Sequence, residues 1–187
     1  IWTVSNLLKE INFSRSILNA LVLKDIFTID NHSVSRLQKS NQKLLQTQKL
    51  SDFQNKALNE IKYCFQQKDV CLLHGVTSSG KTELYIKLIK EQLDRGKQVL
   101  YLLPEIALTT QIIKRLQKYF GNQVGITHSH LNNSERVEIW NAVQQKNINK
   151  VKYPIMLGAR SSLFLPFDNL GLIIVDEEHD SSFKQNQ

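Results

Sequence analysis

Beyond residue 50 the chain alternates between two hydrophobic rhythms. Stretches with apolar residues three and four apart, the spacing of one helical face, give way to short runs that are apolar almost throughout. The first rhythm predicts helices over about 52–66, Lys81–Asp94, Ile106–Phe120 and Ser134–Gln145. In the second of these Leu84, Leu88, Ile89 and Leu93 share the inner side, and Gly96 and Gly121 stand where a left-handed residue closes a helix. The apolar runs "DVCLLHG", "QVLYLL", "QVGITH", "PIML" and "LGLIIVDE" predict strands, the second of them broken by Pro104. Strands without a polar side are buried on both faces, and strands alternating with helices pair in parallel. The expected fold class is α/β, a mostly parallel sheet with helices on both faces. There is no internal repeat.

Residues 1–37 have a different texture. Leu7, Leu8 and Ile11 share one helical face, Ile17, Leu18, Leu21 and Val22 another, with "INFSRS" as the turn and Ser14 or Ser16 as the cap of the second helix. "IFTID", "NH" and "SVSRL" follow as strand, turn and return strand, so the order is that of a small winged-helix-like segment. Residues 38–50, "QKSNQKLLQTQKL", are rich in Gln and Lys and read as a linker. The expected organisation is a winged-helix-like segment at 1–37, a linker at 38–50 and an α/β lobe at 51–187.

Composition narrows the class without choosing a function. The 187 residues are 41% hydrophobic and 22% charged, enough apolar material for a core. The formal charge of +7 is compatible with a polyanionic partner and equally with a solubilising surface. Cys64 and Cys71 are the only cysteines and form no C-x-x-C pair, which argues against a zinc site or disulfide framework here. No apolar run approaches the roughly 20 residues that span a bilayer, and no signal-peptide pattern opens the chain, so a cytoplasmic protein is expected. The sequence starts without Met and stops just past an acidic run, and it reads as a piece of something longer.

The chemistry is concentrated in two places. "GVTSSGKT" fits G-x-x-x-x-G-K-[ST], set between a strand-like run and a helix. Its glycines let successive N–H groups turn inward onto phosphate oxygens, and the helix that follows adds its positive end. Gly75, Val76, Thr77, Ser78, Ser79, Gly80, Lys81 and Thr82 are thus the expected nucleotide cradle, with Lys81 reaching the β- and γ-phosphates and Thr82 a ligand of Mg²⁺. "LGLIIVDEEHD" puts Asp176, Glu177 and Glu178 at the end of an apolar strand, where open α/β sheets bind ligands. Asp176 can then hold Mg²⁺, and Glu177 can orient and deprotonate an attacking water. His179 stands beside the γ-phosphate region.

"GVTSSGKTELY" together with "DEEHD" resembles the DExH-type superfamily 2 helicases. "YLLPEIALTTQ", "THSHLNNSERVEIW", "GARSSLFLPF" and "DEEHDSSFKQ", in that order, are similar to the bacterial replication-restart group within them. The likeness covers 50–187 closely and 1–40 more weakly. It implies a RecA-like first motor lobe of an ATP-dependent 3′-to-5′ DNA helicase, with ATP and Mg²⁺ as cofactors and zinc only in a part of such a protein outside this chain. It implies catalytic roles for Lys81, Asp176, Glu177 and His179. Gln54 would read adenine, although Ser51 and Gln54 also spell a capping box. Pro104, Glu105, Thr109, Arg160, Ser161 and Ser162 would line the single-strand track. Ala159 departs from the family's hydroxyl-bearing Thr and removes one contact there. Implied partners are single-stranded and forked DNA, primosome proteins and single-strand-binding proteins. Without the second lobe that closes over ATP, this piece alone is expected to hydrolyse ATP poorly. The rival readings are a double-strand DNA translocase subunit, a winged-helix regulator with a nucleotide switch, and a small-molecule kinase. "GARSSLF" argues against the first, and the sparse basic residues of "SRSILNALVLKD" against the second.

Overall fold

The computed structural model describes residues 14–28, 44–76, 79–105, 110–144 and 151–184. The chain divides into two units, residues 1–35 and 36–187. In the first, helix α1 (Arg15–Leu23) is capped by Ser14, whose hydroxyl accepts from the Ile17 amide at 3.3 Å. It buries Leu18, and it closes through Asp25, at φ 53°. Ile26–Thr28 form no strand, and the expected first helix and the rest of the hairpin lie outside the described residues.

The second unit begins, where described, with an extended arm at 44–50. Residues 44–50 fall in the stretch read as a linker, but they are fastened to the lobe. The Leu45 amide donates to the Lys118 carbonyl at 2.7 Å, and Lys87 Nζ reaches Thr47 Oγ1 at 2.9 Å. Helix α2 (Asp52–Gln67) opens on a complete capping box between Ser51 and Gln54. It sets Leu58 and Ile61 against Leu84 and Leu88 of helix α3 (Lys81–Asp94). α3 ends in a Schellman closure: Gly96, at φ 68°, donates to Leu93, and Lys97 donates to Gln92.

The sheet follows. Strand β1 (Gln98–Leu102), helix α4 (Thr110–Phe120), strand β2 (Val124–Thr127), helix α5 (Asn133–Val143), strand β3 (Ile155–Gly158) and strand β4 (Leu170–Val175) build a four-stranded parallel sheet of order β2-β3-β1-β4. Every residue of β1 and β3 is buried, in keeping with sequences that are apolar but for Gln98 and the Tyr101 hydroxyl. On one face Val99, Tyr101, Ile155, Leu157 and Ile174 meet Ile86 and Ile89 of α3 and Leu116 and Phe120 of α4. On the other, Leu100, Leu102 and Met156 meet Ile139, Ala142 and Val143 of α5. The sheet is thus covered on both faces, as expected.

One expected strand does not form. Residues 68–76, the run "DVCLLHG" and its neighbours, join no ladder. The stretch keeps the alternation of an extended chain: Cys71, Leu73 and Gly75 turn inward while Leu72, His74 and Val76 are exposed. Cys71 and Leu73 pack, as Leu172 of β4 does, against the cluster of Leu58, Ile61, Leu84 and Leu88, and a cavity is lined by both stretches.

Candidate functional site

The carboxyl ends of β1, β3 and β4 carry the residues with chemistry. At the β4 side, the loop before α3 is held by its own groups. Lys81 Nζ donates to the Gly75 carbonyl at 2.7 Å, the Ser79 amide to Val76 at 3.2 Å, and the Glu83 amide to Gly80 at 3.0 Å. Gly80 sits at φ 83°, a left-handed conformation that a side chain would strain. Thr82, half-buried, follows Lys81 in the first turn of α3, and Thr77 and Ser78 lie outside the described residues.

Gln54 fills the capping role that its sequence context offered and also reaches the loop before α3. Its Oε1 accepts from the Ser51 amide at 2.9 Å, completing the cap of α2, and its Nε2 donates to the Gly80 carbonyl at 3.4 Å. The helix cap therefore touches the phosphate-type loop directly. One amide hydrogen and one lone pair of Gln54 remain for another partner.

Asp176 stands one residue past β4, its amide extending the ladder to the Leu102 carbonyl at 3.0 Å. Its Oδ2 accepts from the Tyr101 hydroxyl at 2.8 Å and its Oδ1 from the Glu177 amide at 3.2 Å. Glu177 takes a left-handed φ of 55°, uncommon for a residue with a side chain. This turns the chain sharply out of the sheet. His179 Nε2 lies 3.6 Å from Glu177 Oε2, an ion pair only when the imidazole is protonated. The loop is anchored beyond by Asp180, which accepts from the Ser182 amide at 2.8 Å and is held below the usual carboxylate range chiefly by that bond. Phe183 of the single turn that follows packs into the core on the α5 side.

These groups converge. A cavity of about 580 Å³ is lined by Gly75, Val76, Lys81 and Tyr85 on one wall and by Asp176, Glu177, Glu178 and His179 on the other. Tyr85 lies one helical turn after Lys81, on the same face of α3. Burial, and then the charges of Asp176 and Glu177, push the Tyr85 phenol well above its ordinary range. Burial and the same Asp176 do so for Tyr101. Both phenols are therefore neutral donors at any working pH.

Of the two donors assigned to a divalent cation, Asp176 lines the cavity and Thr82 follows Lys81, which also lines it. Thr82 and Asp176 offer hard oxygens, and among the described residues no Lys or Arg pairs with Asp176. No cluster of three protein ligands forms among the described residues. Mg²⁺ keeps several waters and binds through one or two protein groups plus phosphate.

The second group of expected residues lies toward β3 and β2. Arg160 and Ser161 are exposed on the single turn Arg160–Phe164 that follows β3. Ser162 is only 2% exposed; it folds back over Gly158, and its Oγ has no partner among the described residues. Pro104 is buried, while Glu105 is exposed and accepts from the Ser129 amide at 3.0 Å, bracing the end of β1 against the loop after β2. Thr109 lies outside the described residues. The exposed candidates are therefore Arg160, Ser161 and Glu105.

Reading the sequence missed Tyr101 and Tyr85. Each looks like core in an apolar element. The available signal was positional: Tyr85 shares a helix face with Lys81, and Tyr101 is the one residue of β1 whose buried end carries a polar tip near the sheet's carboxyl edge.

Comparison with known proteins adds to this geometry. The family model described as DEAD/DEAH box helicase matches residues 51–187. The chain is 36% identical over 187 residues to the replication restart protein PriA of Bacillus subtilis (strain 168), covering 98% of this chain and 23% of that protein. It is 40% identical over 185 residues to the protein of the same name from Synechocystis, covering 98% of this chain and 22% of that one. Against its namesake in Rickettsia conorii identity reaches 52% over 115 residues, 62% of this chain and 17% of the relative. The chain thus spans under a quarter of the length of these relatives.

Proposed function

The chain belongs to the DEAD/DEAH box helicases, and from that premise we propose that it is the ATP-binding motor lobe of a 3′-to-5′ DNA helicase acting in replication restart and primosome assembly. The observation that carries this reading is the single cavity in which Lys81 faces the acidic turn Asp176–His179, residues far apart in the sequence. The relatives named for replication restart support the biological setting, since two of them align with 98% of the chain.

In this reading the amides of 75–82 bind phosphate oxygens and Lys81 offsets charge on the β- and γ-phosphates. Thr82 and Asp176 would hold Mg²⁺, which would supply positive charge to offset the charge developing on the phosphates. Glu177 orients the attacking water and accepts its proton, its carboxylate steered by His179. Gln54 presents its remaining donor and acceptor to adenine, a bidentate match that also reports base binding to Gly80. Arg160 and Ser161 grip the phosphates of a single strand without reading bases, with Pro104, Glu105, Thr109 and Ser162 shaping that track. The partners are single-stranded and forked DNA, primosome proteins and single-strand-binding proteins, in the cytoplasm. No described helix is long and apolar enough to cross a membrane.

Lys81→Ala in the intact protein tests the reading. ATP turnover should fall about 10²–10³-fold, the scale set by removing one preorganised group facing transition-state charge. Single-strand DNA binding should stay near that of the unmodified protein. Parallel loss of ATP turnover and DNA binding would defeat this division of labour.

A further inference from the structure

We propose that Tyr101 is a positioning residue for the nucleotide site: its hydroxyl fixes the Asp176 carboxylate in the orientation that receives a divalent cation. The inference rests on the reading of Asp176 as the cation-side carboxylate given above.

Asp176 needs such a support. It follows an edge strand in which Ile173 and Val175 are half-exposed, at 45% and 42%. The residue after it leaves the sheet through a left-handed turn at Glu177. Backbone pairing ends with the Asp176 amide on the Leu102 carbonyl, so the ladder fixes the backbone and leaves the side chain free to rotate.

Tyr101 supplies the missing constraint from the next strand. In the parallel register Tyr101 lies opposite Ile174, so its ring sits in the layer beneath α3 and its hydroxyl reaches forward to the strand ends. The residue is fully buried, and Tyr85 meets its ring edge-to-face, with centroids 5.7 Å apart and planes at 84°. A phenol clamped on two sides places its oxygen rigidly. The direction of the bond is also fixed, because an ionised carboxylate only accepts. With Oδ2 on Tyr101 and Oδ1 on the Glu177 amide, both carboxylate oxygens are located. About four lone-pair positions belong to a carboxylate, so acceptor capacity remains toward the cavity for a cation or its waters. The same neutral donor leaves the negative charge of Asp176 intact, which a Lys or Arg in that place would cancel.

The experiment is a MgCl₂ titration of the intact protein with a fluorescent ATP analogue, run beside the same nucleotide in EDTA. Tyr101→Phe should raise the Mg²⁺ half-saturation by about tenfold, the lower end for loss of a group that orients a metal ligand. Affinity for the metal-free nucleotide and the melting temperature should stay close to those of the unmodified protein, which a purely structural role would instead disturb. Should the Phe variant fail to fold, Tyr101→Leu, which matches Leu100 and Leu102, serves in its place. Asp176→Asn is the reference and should lose most of the Mg²⁺ response. An unchanged half-saturation in the Tyr101 variant, with the response lost in Asp176→Asn, would overturn the inference. A full Mg²⁺ response in Asp176→Asn would remove its premise instead, and the inference with it.

Discussion

Gly80 is the residue at which local conformation and site chemistry are hardest to separate. Its φ of 83° lies where an L side chain costs about 1–2 kcal/mol, and a Cβ there would run into the Gln54 amide nitrogen. Gly80→Ala should therefore lower stability by about 1–2 kcal/mol in urea denaturation. It should also weaken ATP binding, because Gln54 must leave either its cap or the loop. Gly75→Ala gives the contrast: no left-handed φ is involved, and the nearest atom to a new Cβ is Ser79 Oγ at 3.0 Å. Much of this was legible in the sequence, because a phosphate loop is a local pattern whose glycines and Lys81 announce themselves by spacing. The tyrosines were not, because what distinguishes Tyr101 from any core aromatic is an acceptor on another strand. Ser162 failed the other way: a hydroxyl beside Arg160 reads as surface, yet the turn after β3 folds it inward over Gly158.

At the scale of elements, Gln98 joins pieces that the sheet alone would leave apart. It is 1% exposed, at the start of a strand otherwise made of apolar side chains and Tyr101. Its Nε2 donates to the Val143 carbonyl at the end of α5 at 3.0 Å, and its Oε1 accepts from the Asp168 and Asn169 amides at 3.0 Å each. One side chain thus closes a helix end and the turn that feeds β4. Gln98→Leu keeps the volume but strands three backbone groups, so equilibrium unfolding should show a loss of about 2–4 kcal/mol at roughly 1 kcal/mol per bond. A loss under about 0.5 kcal/mol, the range of an indifferent surface change, would mean that water replaces the amide without cost. The helices and the four sheet strands were readable because their periodicity reflects which side is buried. The run before the phosphate loop was misread as a ladder strand for the same reason: alternation at Cys71, Leu73 and Gly75 reports an inward side, while backbone pairing depends on a neighbouring edge that periodicity does not encode.

Across the whole lobe, β1 lies between two chemistries. On one side Tyr101 reaches Asp176 beyond β4; on the other Glu105 holds the Ser129 amide beyond β2, next to the β3 turn that exposes Arg160. The strand order β2-β3-β1-β4 thus sets the nucleotide cavity and the exposed Arg160 turn at opposite flanks of one rigid, fully buried strand. If Arg160 contacts a phosphate, Arg160→Ala should weaken single-strand DNA binding uniformly across sequences. It should also flatten the slope of log affinity against log salt by about 0.7, the release expected for one single-strand phosphate contact. The formal charge of +7 makes this a sharp test, because diffuse attraction from many scattered cations would survive removal of one of them with little change in slope. Nucleotide affinity measured without DNA should be unmoved, since no described hydrogen bond joins Arg160 to the cavity residues. A variant that keeps the full salt slope would place the nucleic-acid grip elsewhere on the lobe. One that loses nucleotide affinity as well would mean that the two flanks of β1 are not separable.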